Sequence, residues 1–320
     1  MLNCLTHSAP VASSLRIEQF AGFGRWMQPV NAWAVVLLMF GCRGAPPSRF
    51  PDAASALGRL RETLGCSRGL QIEAKVDYFE NSRRLRGNVA ILAVLPEQVR
   101  IDVFSPFGVN LSTLTSDGDI FTLYELQSRQ YWLGPATACN LARFVKVSLP
   151  PFALVQLLHG DAPVLAHERD MAWIRWDSTW LGTGHYTLEI HGQYQSVETI
   201  SLQLAPDDWS LPWQQQRLRV TDILVTQAGQ VTYQVVLDGH APAPTSTARV
   251  DPDGLEPAIL PSGPQCSAEV PHRIRFVSPS SETDLVLDYI NVSHNPPLLP
   301  GVFRQPVPGG VQVLRADCPN

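Results

Sequence analysis

The sequence predicts a mainly β fold: a curved antiparallel half-barrel of about 11–13 strands carrying a short helical lid. Three observations lead there. From residue 72 onward, apolar and polar residues alternate with a period of two in short runs. Those runs are separated by turn residues instead of long crossovers, so consecutive strands pair antiparallel and can keep one face apolar and one wet. The alternation stops once, between residues 137 and 160, where apolar residues recur at helical spacing.

The chain opens on a different pattern. Ala32–Gly41, AWAVVLLMFG, is an unbroken apolar run followed by Cys42. Its length suits the hydrophobic region of an export signal and falls short of the roughly 20 residues that span a bilayer. Arg16 and Arg25 supply the positive flank, and a start at Met27 would leave the leader without one. Leu38-Met39-Phe40-Gly41-Cys42 resembles a lipobox, in which a small residue precedes a cysteine that becomes acylated. Residues 1–41 therefore read as a lipoprotein signal peptide and Cys42 as the lipidation site. The competing reading is an ordinary signal, or a short buried helix, with an incidental cysteine. Each buried methylene contributes about 0.8 kcal/mol, so several acyl chains on one cysteine anchor durably. Arg43, not an aspartate, follows that cysteine; the expected address is the periplasmic face of the outer membrane.

Residues 42–68 comprise the acylated cysteine, a Pro-rich aperiodic tether over 43–52, and a helix over Ala53–Leu64 with Leu57, Leu60 and Leu64 on one face. The half-barrel occupies 69–294. Its first meander runs through Ile72–Tyr78, Val89–Leu95, Val99–Phe104, Val109–Thr115, Ile120–Leu126 and Arg129–Leu133, with Asp117-Gly118 as a hairpin signal. The lid lies near 137–160: Leu141, Phe144 and Val145 share one helical face, as do Leu154, Leu157 and Leu158. The second of these helices has Pro150-Pro151 at its start and Gly160 past its end. Strands resume at Ala172–Trp176, His185–His191, Val197–Leu204, Leu218–Thr226 and Val231–Leu237. A loop rich in Pro, Ala, Ser and Gly covers 241–265, strands follow at Arg273–Val277 and Leu285–Ile290, and 295–320 is a Pro-rich extension.

Composition narrows the function. The 320 residues are 45% apolar and 17% charged, enough for a sizeable core. The formal charge is −5, and loss of Arg16, Arg25 and Glu18 with the leader makes it about −6, which argues against a nucleic-acid partner. Neither GxSxG, GxGxxG, a phosphate-binding P-loop nor HExxH occurs. His185 and His191 point the same way along one strand without a third ligand, and no CxxC is present, so no metal or cofactor is expected. Asp207-Asp208 reads as a solvated loop pair. Trp173, Trp176, Trp180, Trp209 and Trp213 read as packed aromatics or as a contact surface. Beyond Cys4 and Cys42, four cysteines remain, enough for two disulfides in an oxidising compartment; Cys266 with Cys318 is the preferred pair, stapling the extension to its own start.

Val99–Leu114, VRIDVFSPFGVNLSTL, places a Pro-aromatic-Gly turn between two strands. Ile120–Leu123, Leu149-Pro150-Pro151, Leu154–Gly160, Val220–Val236 and His272–Ile290 follow in order. In sequence and spacing these segments resemble the LolA/LolB-type lipoprotein carriers, more closely the membrane-anchored LolB. The resemblance covers most of 69–290, and the chain departs from it in Trp173–Pro212 and in the tail from Asn295. It implies an incomplete barrel whose concave face holds acyl chains, a partner set of acylated lipoproteins or phospholipid, and a soluble periplasmic carrier that hands cargo over. It also implies that Pro106, Phe107 and Gly108 form a loop touching membrane or cargo.

An acyl chain is held by burying methylenes, so its site needs apolar area and no reactive side chain. The candidate lining is Val76, Tyr78, Ile91, Val103, Leu111, Leu123, Leu188, Leu202, Val220, Tyr233 and Val235. The candidate lid is Leu141, Phe144, Val145, Leu154, Leu157 and Leu158. Two functions stay open: an anchored, non-enzymatic acyl-chain carrier with a hollow barrel, or an assembly lipoprotein whose barrel is filled and which binds protein partners.

Overall fold

The computed structural model describes residues 44–80, 83–145, 148–178 and 184–318; the expected signal peptide over 1–41, the expected lipidation site Cys42 and Trp180 lie outside them. The first element among the described residues is helix α1 (Ala53–Leu64), over the residues expected. Asp52 caps it: its Oδ1 accepts from the Ser55 amide at 2.7 Å, satisfying one of the orphan donors of the first turn. Ala53, Ala56, Leu57 and Leu60 form its buried stripe.

Six strands follow as a meander: β1 (Gly69–Glu80), β2 (Arg83–Val94), β3 (Gln98–Phe104), β4 (Asn110–Ser116), β5 (Ile120–Glu125) and β6 (Gln130–Pro135). Helices α2 (Ala138–Val145) and α3 (Pro151–His159) interrupt. Pro151 opens α3, and Gly160, at φ 82°, takes the left-handed conformation that ends it. The second meander comprises β7 (Ala172–Ser178), β8 (Gly184–His191), β9 (Ser196–Leu204), β10 (Leu218–Gln227) and β11 (Gln230–Asp238). After the short β12 (Ala241–Pro242) and β13 (Glu269–Val270), β14 (Arg273–Ser278) and β15 (Thr283–His294) complete it, and β16 (Gln312–Arg315) lies in the tail.

One open, curved sheet of fourteen strands results, in the order β16-β6-β5-β4-β3-β2-β1-β15-β14-β11-β10-β9-β8-β7. β12 and β13 make a separate pair. The two meanders join where β15 returns to β1, Val76 opposite Leu287. Register shifts at Glu73/Ala74, Val103/Phe104, Val220/Asp222 and Val225/Thr226 add twist and bend. No helix among the described residues is long and apolar enough to cross a membrane.

The strand number exceeds the expected 11–13 because the tail and the 241–270 segment contribute strands of their own. β16 pairs in parallel with β6, Val313 opposite Tyr131. The approach needs Gly134, where a Cβ would meet the Ala316 carbonyl oxygen at 2.2 Å. Before that strand the tail crosses the face of the first meander turned away from α3. There Phe303 is buried, Gln305 Nε2 donates to Thr113 O at 2.9 Å, and Tyr131 Oη donates to Gln305 O at 2.7 Å.

The disulfide expectation is corrected. Cys266 bonds Cys66, and Cys318 bonds Cys139. Closure of β15 on β1 brings the end of α1 beside the 264–268 segment, while the tail ends beside α2. Asn295 stitches the first junction: its Oδ1 accepts from the Arg68 and Gly69 amides at 2.8 and 3.2 Å, and its Nδ2 donates to Cys66 O and Pro264 O at 2.9 and 2.6 Å. His294, fully buried, accepts from the Ser67 hydroxyl at 2.8 Å and donates to Ala268 O at 2.9 Å.

The segment expected to be a tether over 43–52 is fixed to the domain from Ser48 onward. Trp213 N donates to Ser48 Oγ at 2.9 Å, and Gln216 Nε2 donates to Ser48 O at 3.1 Å. Phe50 is buried against Tyr186 and Trp213, ring centroids 5.3 and 5.4 Å away. An aperiodic Pro-rich segment hides such a contact because one aromatic carries it.

Candidate functional site

Cross-strand pairing stacks the inward residues of the first meander into rows. Leu123 faces Leu114, Leu114 faces Ile101, and Ile101 faces Ile91. A second row runs from Ser112 through Val103 to Val89. A third joins Leu85, Tyr78 and Leu285, and a fourth Gly87, Val76 and Leu287. Helix α3 lies over β2 and β3 and contributes Leu154 and Leu158. Between helix and sheet remains a cavity of about 410 Å³, walled by these residues and Leu111, within the range of small-ligand sites.

Its wall is hydrocarbon with few exceptions. Tyr78, Ser112 and Arg86 are the polar residues on it. The Arg86 guanidinium turns away to Asp77, at 3.2 Å, on the other face of the hairpin. Asp77 also pairs with Arg84, chiefly through a bidentate hydrogen bond that holds the carboxyl down at about 2. No ionised group therefore faces the hollow from this ring of residues.

Exposure gives the hollow a direction. Leu158, Ile91, Leu114 and Leu123 are buried at its inner end, whereas Leu111 and Leu85 are 42% and 64% exposed. The open end lies at the strand ends that carry the β3–β4 turn. In that turn Gly108 takes φ 79°, the Ser105 hydroxyl accepts from the Phe107 and Val109 amides, and Phe107 stands 93% exposed. Phe79, Val109 and Leu126 add exposed apolar surface at the same strand ends. Sequence burial rates favour packing a turn aromatic inward; here the Asx-like Ser105 turn leaves it no wall to pack on.

Of the eleven expected lining residues, Val76, Tyr78, Ile91, Val103, Leu111 and Leu123 meet in this cavity. Leu188, Leu202, Val220 and Val235 do not; they are fully buried in the second meander, and Tyr233 stacks on Phe276 at 5.5 Å. That half is solid. Helix α1 packs on β10 and β7, and Trp176 lies 4.8 Å from Tyr186 and 5.6 Å from Trp209. Of the expected lid, Leu154 and Leu158 reach the cavity, and Leu141 and Leu157 are buried in the core without lining it. The side chains of Phe144 and Val145 lie outside the described residues. Sequence reasoning passed over Leu85, whose flanking Arg83, Arg84 and Arg86 read as a charged surface, and Leu285 and Leu287, whose alternation with Asp284 and Asp288 was a usable signal.

The remaining polar groups serve structure. Asp208, expected to be solvated, is buried and holds Arg217 through both oxygens at 2.9 Å. His191 Nε2 meets Glu189 at 2.8 Å on the sheet surface. Glu198, fully buried on β9, accepts from the Leu165 amide at 2.8 Å, and burial raises its carboxyl to about 7. His159, bonded to Val155 O, is lowered to about 4, again by burial. A smaller cavity of about 200 Å³ beside α1 contains Arg219 and Glu269, paired with each other at 2.5 Å. No group of three or more His, Cys, Asp or Glu among the described residues is placed to hold a metal ion.

No family model matches this chain, and no curated protein does. Solved structures do. A DUF1329 family protein from Desulfovibrio piger superposes with a TM-score of 0.51 at 12% identity, over 79% of this chain and 96% of that one. A putative outer membrane lipoprotein-sorting protein domain from Vibrio parahaemolyticus gives 0.45 at 9% identity, over 78% and 95%. A LolA superfamily protein from Nitrosomonas europaea gives 0.45 at 13% identity, over 80% and 99%. At such identities the likeness is one of architecture. The chain shares the overall fold of the DUF1329 family protein.

Proposed function

We propose that this protein is a lipid-anchored carrier that reversibly buries an acyl chain in the half-barrel formed by β1–β5 and β15, with α3 as its lid. The observation that carries the reading is the apolar cavity of about 410 Å³ beneath Leu154 and Leu158. Burying even about ten methylenes of a chain there would contribute about 8 kcal/mol at about 0.8 kcal/mol each, enough for useful affinity without any directed polar contact. The uncharged wall supports hydrocarbon over polar cargo.

Cys42 serves as the acylated anchor in this reading, and the protein works at the periplasmic face of the outer membrane, aiding insertion of lipoprotein or other lipid cargo. Closeness to LolB, as opposed to the soluble carriers, rests on that cysteine. Ser48 is held beside Trp213, at the strand ends opposite the Phe107 turn. The apolar rim of Pro106-Phe107-Gly108 is thus suited to cargo, or to a carrier arriving from the water side.

Native mass spectrometry after mild extraction tests the carrier. An acyl-bearing adduct that Val103→Arg abolishes is expected. A bare mass, together with failure of palmitate to displace a fluorescent apolar probe, would remove the reading and leave an anchored assembly protein. Cys42→Ala should move the protein to the soluble periplasmic fraction; continued membrane retention counts against acylation.

A further inference from the structure

The volume, the wall and the surroundings of the cavity together specify more than "lipid". We infer that the site takes one acyl chain of about sixteen carbons, which makes its ligand a single-chain amphiphile whose head group stays in water. This rests on the acyl-binding reading above and narrows its cargo from lipoprotein or other lipid to single-chain lipids, setting aside cargo that must bury two or three chains at once.

Volume comes first. A cavity of ~150 Å³ accommodates benzene, which sets a scale of roughly 25 Å³ per carbon. On that scale about 410 Å³ holds about sixteen carbons. A lipid with two or three chains would need two or three times the space. Beneath α1 the second meander offers none, since Leu188, Leu202, Val220 and Val235 are 0% exposed. The groove of about 950 Å³ between α1 and the 164–172 segment has Asp52, Arg61, His167 and Arg169 on its lining, which does not suit a bare hydrocarbon chain.

The wall decides where the head group goes. Leu114 and Leu158, 3% and 1% exposed, close the inner end with hydrocarbon. A carboxylate or phosphate there would lose its water and find no cation, since Arg86 is directed to Asp77 on the opposite face. The tail therefore enters first, past Leu85 and Leu111, and the head remains at the open end. One chain, tail inward, fits both constraints.

A chain-length series on the full mature protein tests this. Saturated fatty acids of about eight to twenty carbons would displace a fluorescent apolar probe below their micellar concentrations, with stoichiometry read by native mass spectrometry. Each added methylene should tighten binding about fourfold up to about sixteen carbons, and longer chains should gain nothing. One chain should bind per protein. Lysophosphatidylglycerol should match palmitate if only the tail is read, and diacyl phosphatidylglycerol should bind no tighter than its lyso form. Leu114→Ala removes three carbons from the inner end and should move the plateau about three carbons longer. Leu158→Ala is the second variant should the first misfold, and a purely structural residue would change stability without moving the plateau. Affinity that climbs without a plateau, two chains per protein, or tighter diacyl binding overturns the single-chain inference while sparing the carrier. Failure of every chain to bind removes the carrier reading itself.

Discussion

The two meanders of this sheet are written in the same alternating code, yet one keeps an apolar hollow against its inward residues and the other is packed there. Over β7–β11 the inward residues are met by α1, by Phe50, and by Trp176, Trp209 and Trp213, and Ile200, Leu202 and Val220 reach 0% exposure. Over β1–β5 the inward residues meet the short α3, which touches β2 and β3 and leaves about 410 Å³ unfilled. The strands do not differ; their cover does. Large aromatics and a twelve-residue helix fill one concavity, and a nine-residue helix roofs the other. On the proposed reading the fold divides labour, with a packed half supplying stability and an open half supplying the site.

Substitutions should separate the halves, and the largest effect belongs to the solid one. Leu202→Ala should cost about 3–4 kcal/mol in chemical denaturation, because its rigid neighbours cannot collapse into the space. Val103→Ala in the hollow half should cost about 1 kcal/mol, since that wall already borders free volume. Equal costs would mean the halves are packed alike. Cys139→Ser with Cys318→Ser should cost about 2–4 kcal/mol by freeing the tail that backs the hollow half.

pH should act through the buried groups with opposite signs. His159, neutral in the fold down to about 4, binds its proton first in the unfolded chain at about 6.5, so stability is lost as pH falls from 6.5 toward 4, by about 3 kcal/mol in all. Glu198, raised to about 7, holds its proton longer in the fold than its usual carboxyl range, so stability is lost as pH rises toward 7, by about 2–3 kcal/mol. Denaturation midpoints against pH should lose the acid-side slope in His159→Gln and the neutral-side slope in Glu198→Gln. Persistence of either slope would assign it elsewhere.

Smaller changes sharpen the comparison. Asp52→Ala should cost about 1 kcal/mol through the lost cap of α1, the helix that fills the solid half. Phe107→Glu should move stability by less than about 0.5 kcal/mol, because that side chain packs on nothing, while slowing transfer of a fluorescent fatty acid from donor vesicles. Unchanged transfer would take Phe107 out of the site.

How far the sequence reached follows from the same contrast. Period-two alternation located the strands of both meanders, since a half-buried strand writes its pattern locally. The start of β2 escaped because Arg83-Arg84-Leu85-Arg86 masks a single inward leucine, and β16 because a Pro-rich tail shows no period. The pairing of Cys66 with Cys266 is not legible along the chain because the β1–β15 closure that sets them side by side is non-local. Val103 and Leu202 read identically along the chain: each faces inward from a strand. What separates them is the element lying above, and alternation carries no record of that. The lining of the open half was therefore legible, and its boundary with the filled half was not.

The most direct test uses palmitate labelled with ¹³C along its chain and intermolecular NOEs to methyl groups of the protein. Contacts to Ile91, Leu114 and Leu123, and none to Leu188, Leu202 or Val220, are expected. Contacts spread over both sets, or none to the first, would contradict burial of the chain in the open half.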